Sequence, residues 1–97
     1  MNIAYSKNGV PIRLTYERWT HIVEHHEDMA SSMDDVFETI ENPEIIIRGH
    51  DGALQSVASR NKERKLIVIY RELSKTDGFV ITAFHTSKVK GVVLWHR

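Results

Sequence analysis

The chain contains no cysteine, only two prolines and five glycines, and no apolar run of transmembrane length. Without thiols there are no disulfides and no thiolate-held zinc, and the redox state of the compartment leaves no mark on the composition. A membrane span needs about 20 consecutive apolar residues, so none is expected. The opening Met1-Asn2-Ile3-Ala4-Tyr5-Ser6-Lys7 lacks the apolar stretch of a signal peptide, which makes a cytoplasmic location the default. Scarce glycine excludes further classes. There is no phosphate-cradling P-loop, no dinucleotide fingerprint and no Gly-x-Ser-x-Gly nucleophile elbow.

Net charge is also absent, since 13 lysines and arginines balance 13 aspartates and glutamates. That neutrality hides a division. Residues 1–44 hold nine acids (Glu17, Glu24, Glu27, Asp28, Asp34, Asp35, Glu38, Glu41, Glu44) against Lys7, Arg13 and Arg18. Residues 45–97 hold ten bases against Asp51, Glu63, Glu72 and Asp77. If the halves form separate layers, the basic layer either attracts phosphates or an acidic partner, or simply attracts the acidic layer.

Ninety-seven residues are enough for one domain with a two-layer core. Ile3-Ala4-Tyr5 and Val10-Pro11-Ile12-Arg13-Leu14 flank Asn8-Gly9, which predicts an N-terminal β-hairpin. Thr15 is suited to cap a first helix, on which Trp19, Ile22, Val23, His26, Met29 and Ala30 share one side at 100° per residue. Ser31 or Ser32 opens a second helix carrying Met33, Val36, Phe37 and Ile40, which Asn42-Pro43 ends. Beyond Pro43 the period shortens. Residues 44–50, 54–60, 65–72 and 78–85 read as strands, separated by Asp51-Gly52, Asn61-Lys62-Glu63 and residues 74–78. A short strand at Val92-Val93-Leu94-Trp95 follows. Such brief connections suit antiparallel neighbours. The expected fold is α+β: two N-terminal helices packed on a twisted antiparallel sheet of four or five strands, as a single domain over 1–97.

The densest chemistry lies in Trp19-Thr20-His21-Ile22-Val23-Glu24-His25-His26. Histidine titrates near neutrality, so it can move protons or bind metal. His21 and His25 stand four residues apart and, with Glu24, spell the inverted zinc-peptidase pattern His-x-x-Glu-His. The helical wheel places His21 on the side of Glu17, Glu24 and Asp28, which favours a solvated acidic face over a metal site. His26 falls within the apolar stripe, either as a core histidine with its hydrogen bonds satisfied or as a partly desolvated acid–base group aimed at the sheet.

Arg48, Arg60, Arg64, Arg71 and Lys88 interrupt the apolar strands or stand at their ends. Alternation in the 65–71 strand separates Leu66, Val68 and Tyr70 from Ile67, Ile69 and Arg71. In the next strand it separates Phe79, Ile81, Ala83 and His85 from Val80, Thr82, Phe84 and Thr86. With helices on one side, the other sheet face is expected to be open. Arginines, aromatics and hydroxyls there suit single-stranded nucleic acid, although cationic strand ends also discourage edge aggregation. Thr82-Ala83-Phe84-His85-Thr86-Ser87-Lys88 gathers a histidine, hydroxyls and a lysine at a strand end, where a rigid element fixes accessible groups.

The order Leu14-Thr15-x-x-Arg18-Trp19-x-His21-Ile22-x-x-x-His26, Asn42-Pro43-Glu44-Ile45, a strand with Arg48, Leu66-Ile67-Val68-Ile69-Tyr70-Arg71 and Gly78 through Lys88 resembles a known family. It is that of the phage- and toxin-associated nuclease domains grouped with barnase, EndoU, certain colicins and RelE, and the likeness runs over about residues 13–95. The resemblance implies a metal-independent endoribonuclease without cofactor. Such a protein is often the toxin of a toxin–antitoxin pair or a mobile-element effector, with RNA, a cognate antitoxin and the ribosome as partners and no membrane. The matching positions are His21, His26, Arg48, Arg71, Thr82, Thr86 and Ser87. Glu27-Asp28 departs from the Pro-Glu usual in relatives and adds negative charge beside the site. Cleavage by 2′-OH attack needs a base, an acid and cations around the phosphorus. The expected roles are acid–base work for His26 and His85 (with His21 as substitute), a phosphate clamp from Arg48 and Arg71, and orientation by Thr82, Thr86 and Ser87. Tyr70 or Phe84 would stack a base, and Arg60, Arg64 and Lys88 would add substrate contacts. A non-catalytic nucleic-acid or partner-binding module is the alternative, as is an acidic face of Glu24, Asp28, Asp34 and Asp35 that meets a basic partner.

Overall fold

The computed structural model describes residues 2–61 and 63–97. Lys62, within one predicted turn, lies outside them. The described residues are α+β, with two α-helices on one face of a seven-stranded sheet. The strands are β1 (Asn2–Tyr5), β2 (Pro11–Leu14), β3 (Ile45–Arg48), β4 (Leu54–Ser59), β5 (Lys65–Ser74), β6 (Asp77–Thr86) and β7 (Val93–His96). Their spatial order is β1-β2-β6-β5-β4-β3-β7. Seven strands replace the four or five expected, because both strands of the N-terminal hairpin and the short last strand join one continuous sheet.

That junction is also not antiparallel. β2 runs parallel to β6, pairing Ile12 with Gly78 and Arg13 with Phe79, while every other neighbouring pair is antiparallel. A parallel pair needs a long crossover, and everything from the first helix to β5 supplies it here. The hairpin forms as its turn chemistry predicts: Gly9 adopts φ +78 and its N–H donates to the Ser6 carbonyl.

Helix α1 (Tyr16–His25) starts where Thr15 Oγ1 accepts the Arg18 N–H at 3.1 Å. It buries Trp19 and Ile22. It stops at His25, four residues short of Met29. His26 leaves helical geometry at φ −138, ψ 77, and a 3-10 turn over Glu27–Met29 follows. The turn drives Met29 to 0 % exposure, so core burial overrides the helical continuation that the apolar period suggests. Helix α2 (Met33–Glu41) buries Val36, Thr39 and Ile40, and Asp34 and Asp35 in its first turn complement the helix dipole.

The main core joins these helices to Ala4, Val10, Ile12 and Leu14 of the hairpin region and to Leu66, Val68, Tyr70, Val80 and Ala83. Each large aliphatic side chain so buried contributes about 1.5–3 kcal/mol. The alternation read for β5 holds, with Leu66, Val68 and Tyr70 on the helix side. In β6 it breaks: Ile69 faces Thr82 but Tyr70 faces Val80, leaving Ile81 as an extra residue. The bulge puts Val80 on the same face as Ala83 and His85, not opposite them.

The far face is not open either. Ile47, Val57 and Ile67 form a second buried cluster, against which Ile45, Ile69, Phe84 and Val89 pack. Val89 belongs to the segment that carries the chain from β6 to β7.

The two charged halves meet through ion pairs. Arg60 binds Asp35 at 2.8 Å and Arg64 binds Asp28 at 3.1 Å, so the β4–β5 connection grips the helix layer. Mutual attraction of the layers accounts for this part of the split. No helix among the described residues is long and apolar enough to cross a membrane.

Candidate active site

The sequence-predicted residues fall at two ends of the sheet. At one end, His85 pairs with Leu66 across β5 and projects on the helix side. Its Nδ1 lies 2.7 Å from Asp28 Oδ2, and Arg64 Nη2 lies 3.1 Å from the same oxygen. An ionised carboxylate only accepts hydrogen bonds, so Nδ1 carries a hydrogen, and in the neutral imidazole Nε2 is then the free acceptor. The hydrogen bond from His85 is the largest influence holding the Asp28 carboxyl below its ordinary range, with smaller help from the charges of His85 and Arg64. The His85 side chain is 13 % exposed, whereas Asp28 and Arg64 are each about half exposed (46 % and 51 %).

The same end holds His26. Beyond Phe79, β6 has no strand on its β2 side among the described residues, and α1 and the 3-10 turn pack there instead. Arg18 donates to the Ile81 carbonyl at that edge. The His26 ring lies 5.7 Å from the Phe84 ring, centre to centre. The half-buried His26 is held by its own N–H to the Ile22 carbonyl and by the Met29 N–H to its carbonyl. The two imidazoles thus flank one stretch of β6: His85 stands on its helix side and His26 lies against Phe84, which belongs to the other face. Thr86 Oγ1 both accepts the Lys88 N–H and donates to the Lys88 carbonyl, fixing the turn after β6. Ser87 and Lys88 are exposed beside it. Thr82 shares the far face with Phe84 and Thr86.

Arg71 and Arg48 are elsewhere. Leu66 to Arg71 spans five residues of β5, roughly 17 Å at strand rise, so Arg71 is remote from His85. Register carries Arg48 to the same face as Leu54 and Tyr70, opposite that of Arg71. The two cannot fork one phosphate at His85. Arg71 instead donates to the Asp51 carbonyl, in a turn where Asp51 has φ 52. Tyr70, 1 % exposed, belongs to the core and presents no ring for base stacking; burial raises its phenol pKa. Arg60 and Arg64 are bonded to carboxylates. Phe84 is partly used in packing the second cluster.

His21 and His25 are exposed, with rings 4.4 Å apart, and His25 Nδ1 meets the His21 carbonyl at 3.0 Å. Among the described residues, no three His, Asp or Glu side chains are grouped to hold a metal. Asp28 is the site residue that sequence reasoning missed. A continued helix would aim it at solvent, and only the early stop at His25 turns it toward the sheet. The available hints were the negative charge that Glu27-Asp28 adds beside the expected site and the excess of acids in the first half of the chain against bases in the second. No family model matches this chain, and no curated protein or solved structure matches it.

Proposed function

We propose that this chain is a metal-independent endoribonuclease, of the toxin–antitoxin or mobile-element kind, with His85 held by Asp28 as its principal proton-transfer group. The observation that carries the reading is the 2.7 Å contact from His85 Nδ1 to Asp28. A carboxylate behind an imidazole fixes the tautomer and stabilises the imidazolium that forms. The bare Nε2 takes the proton of a ribose 2′-OH, the 2′-oxygen attacks the adjacent phosphorus, and the 5′-oxygen leaves with a proton from a second acid. His26 is the candidate for that acid, its ring 5.7 Å from that of Phe84, the residue that precedes His85 on β6. The products are a 2′,3′-cyclic phosphate and a 5′-hydroxyl. Arg64 spends one nitrogen on Asp28, and its other N–H groups remain to stabilise phosphoryl charge. Lys88, Ser87 and Thr86 follow directly along the chain as phosphate contacts.

A second reading, a non-catalytic RNA- or partner-binding module, draws on a specific observation. Arg60, Arg64 and Arg71 already hold Asp35, Asp28 and the Asp51 carbonyl, which leaves fewer free cations for a transition state. Incubating the protein with RNA in EDTA separates the two. The nuclease reading expects cyclic-phosphate ends, lost about 100-fold or more in His85→Ala. Asp28→Asn should fall strongly as well, since the imidazole loses its tautomer. Salt-dependent RNA binding without cleavage would overturn the nuclease and leave the binding module.

A further inference from the structure

We propose that the outer edge of β7 docks an extended, acidic segment of a protein partner, which joins the sheet as an additional strand. β7 ends the strand order and, among the described residues, pairs only with β3. The Arg97 N–H reaches the Glu44 carbonyl, so ladder alternation turns the N–H and carbonyl of His96 away from β3. Register steps from Ile46–Trp95 to Ile47–Val93, leaving Leu94 as the extra residue of a bulge. Bulges and short lengths commonly protect an edge, but here the protection is incomplete. Val92, Val93 and Leu94 are 58 %, 50 % and 45 % exposed, a contiguous aliphatic strip beside unpaired main chain. The opposite edge differs, because the Tyr5 N–H of β1 is occupied by Glu41 of α2.

Charge selects the occupant. Arg48, whose N–H bonds the Val92 carbonyl, and Lys90 and Arg97, which flank the strip along the chain, are all exposed. None makes an ion pair within 4.0 Å among the described residues, although the charge of Arg97 is felt by Glu44. A second copy is disfavoured, since antiparallel pairing of β7 with itself sets Lys90 of one chain near Arg97 of the other. Nucleic acid is disfavoured because aliphatic side chains give bases nothing to stack on. Of the strand's two aromatic rings, Trp95 lies under the Lys7 ammonium at 5.1 Å and the exposed His96 ring meets the Arg97 carbonyl through Nδ1 at 3.3 Å. A strand bearing carboxylates satisfies both the main chain and the cations, in the manner of β-strand addition.

The test is amide-resolved NMR titration of the full chain with a blocked peptide of alternating glutamate and valine. The controls are its lysine–valine counterpart and an oligouridine. The acidic peptide should shift the amides of residues 92–96 and bind at least about tenfold tighter than the lysine peptide, with affinity falling as salt rises. A Lys90→Glu, Arg97→Glu double variant, checked as folded by its own spectrum, should weaken binding about fivefold or more. Equal binding of the lysine peptide, oligouridine shifts at these amides, or no shift at millimolar peptide would each overturn the proposal. None of these outcomes depends on whether the protein cleaves RNA.

Discussion

Gly78→Ala tests the parallel junction on which the sheet depends. Gly78 sits opposite Ile12 on β2 and Glu72 on β5. An added Cβ would stand 2.6 Å from the Arg71 carbonyl oxygen and 2.6 Å from Ile12 Cδ1, with the Glu72 Cα at 3.4 Å. The Ile12 methyl could rotate, but Ile12 is 0 % exposed and packed on all sides. The carbonyl is backbone and cannot yield without shifting β5 from β6. Overpacking a close-packed interior costs about 1–3 kcal/mol, and a backbone contact belongs in the upper part of that range. A domain of this size loses about 4–8 °C of melting temperature per kcal/mol, so the expected fall is on the order of 10 °C by circular dichroism. Gly9→Ala is the contrasting control. Nothing lies within 4 Å of its would-be Cβ, yet its φ of +78 penalises any L side chain by about 1–2 kcal/mol. The two variants should also differ in kind: Gly78→Ala should move the methyl signals of Ile12 and Val80, and Gly9→Ala should not. A Gly78→Ala protein that melts within about 2 °C of the parent would refute the seating of β2 against β6.

Three further outcomes are expected. Met29→Ala should cost about 2–4 kcal/mol in urea unfolding and loosen the turn that carries Asp28, which would appear as faster hydrogen exchange at residues 27–29. Ser56→Ala should change stability by no more than about 1 kcal/mol in either direction, because the buried Ser56 Oγ makes no well-formed hydrogen bond and has only the Tyr70 hydroxyl close by. Acid should erase the advantage of Asp28 over asparagine. Its carboxyl titrates below the ordinary range in the folded protein, so its stabilising effect is complete above the unfolded pKa of about 3.9 and is lost as pH falls through the lower folded value. The difference in urea midpoint between the parent and Asp28→Asn should therefore hold from pH 7 to pH 5 and shrink toward pH 2. A constant difference across that range would contradict the pairing.

What the sequence made legible was local. Asn8-Gly9 announces its hairpin, Thr15 its helix start, and the 65–71 alternation its two faces, because each depends on residues only a few positions apart. The early end of α1 was hidden, since no glycine or proline marks it; the burial of Met29 imposes it. The bulge at Ile81 is equally silent and exchanges the faces on which Phe79 and Val80 were expected. Covering of the far face by Val89 depends on where the chain goes after β6. At the candidate site, His85 could be picked out as a histidine at a strand end. Its partner Asp28 could not, because it comes from the other half of the chain through a turn that helical periodicity denies.

The placement of β2 beside β6 also bears on the order of assembly. Residues 2–14 pair with each other locally, but their seat in the sheet is a strand completed only at Thr86. Helices made in between stay half-covered until β5 and β6 close their own hairpin and present the edge that β2 needs. The topology therefore predicts the late hairpin as the nucleus and closure across the parallel seam as the slow step, because that pairing is non-local. A chain emerging in order from a ribosome would hold its first strands waiting through most of synthesis. Fragments cut anywhere between β2 and β6 should not fold alone, because each would lack one side of the seam.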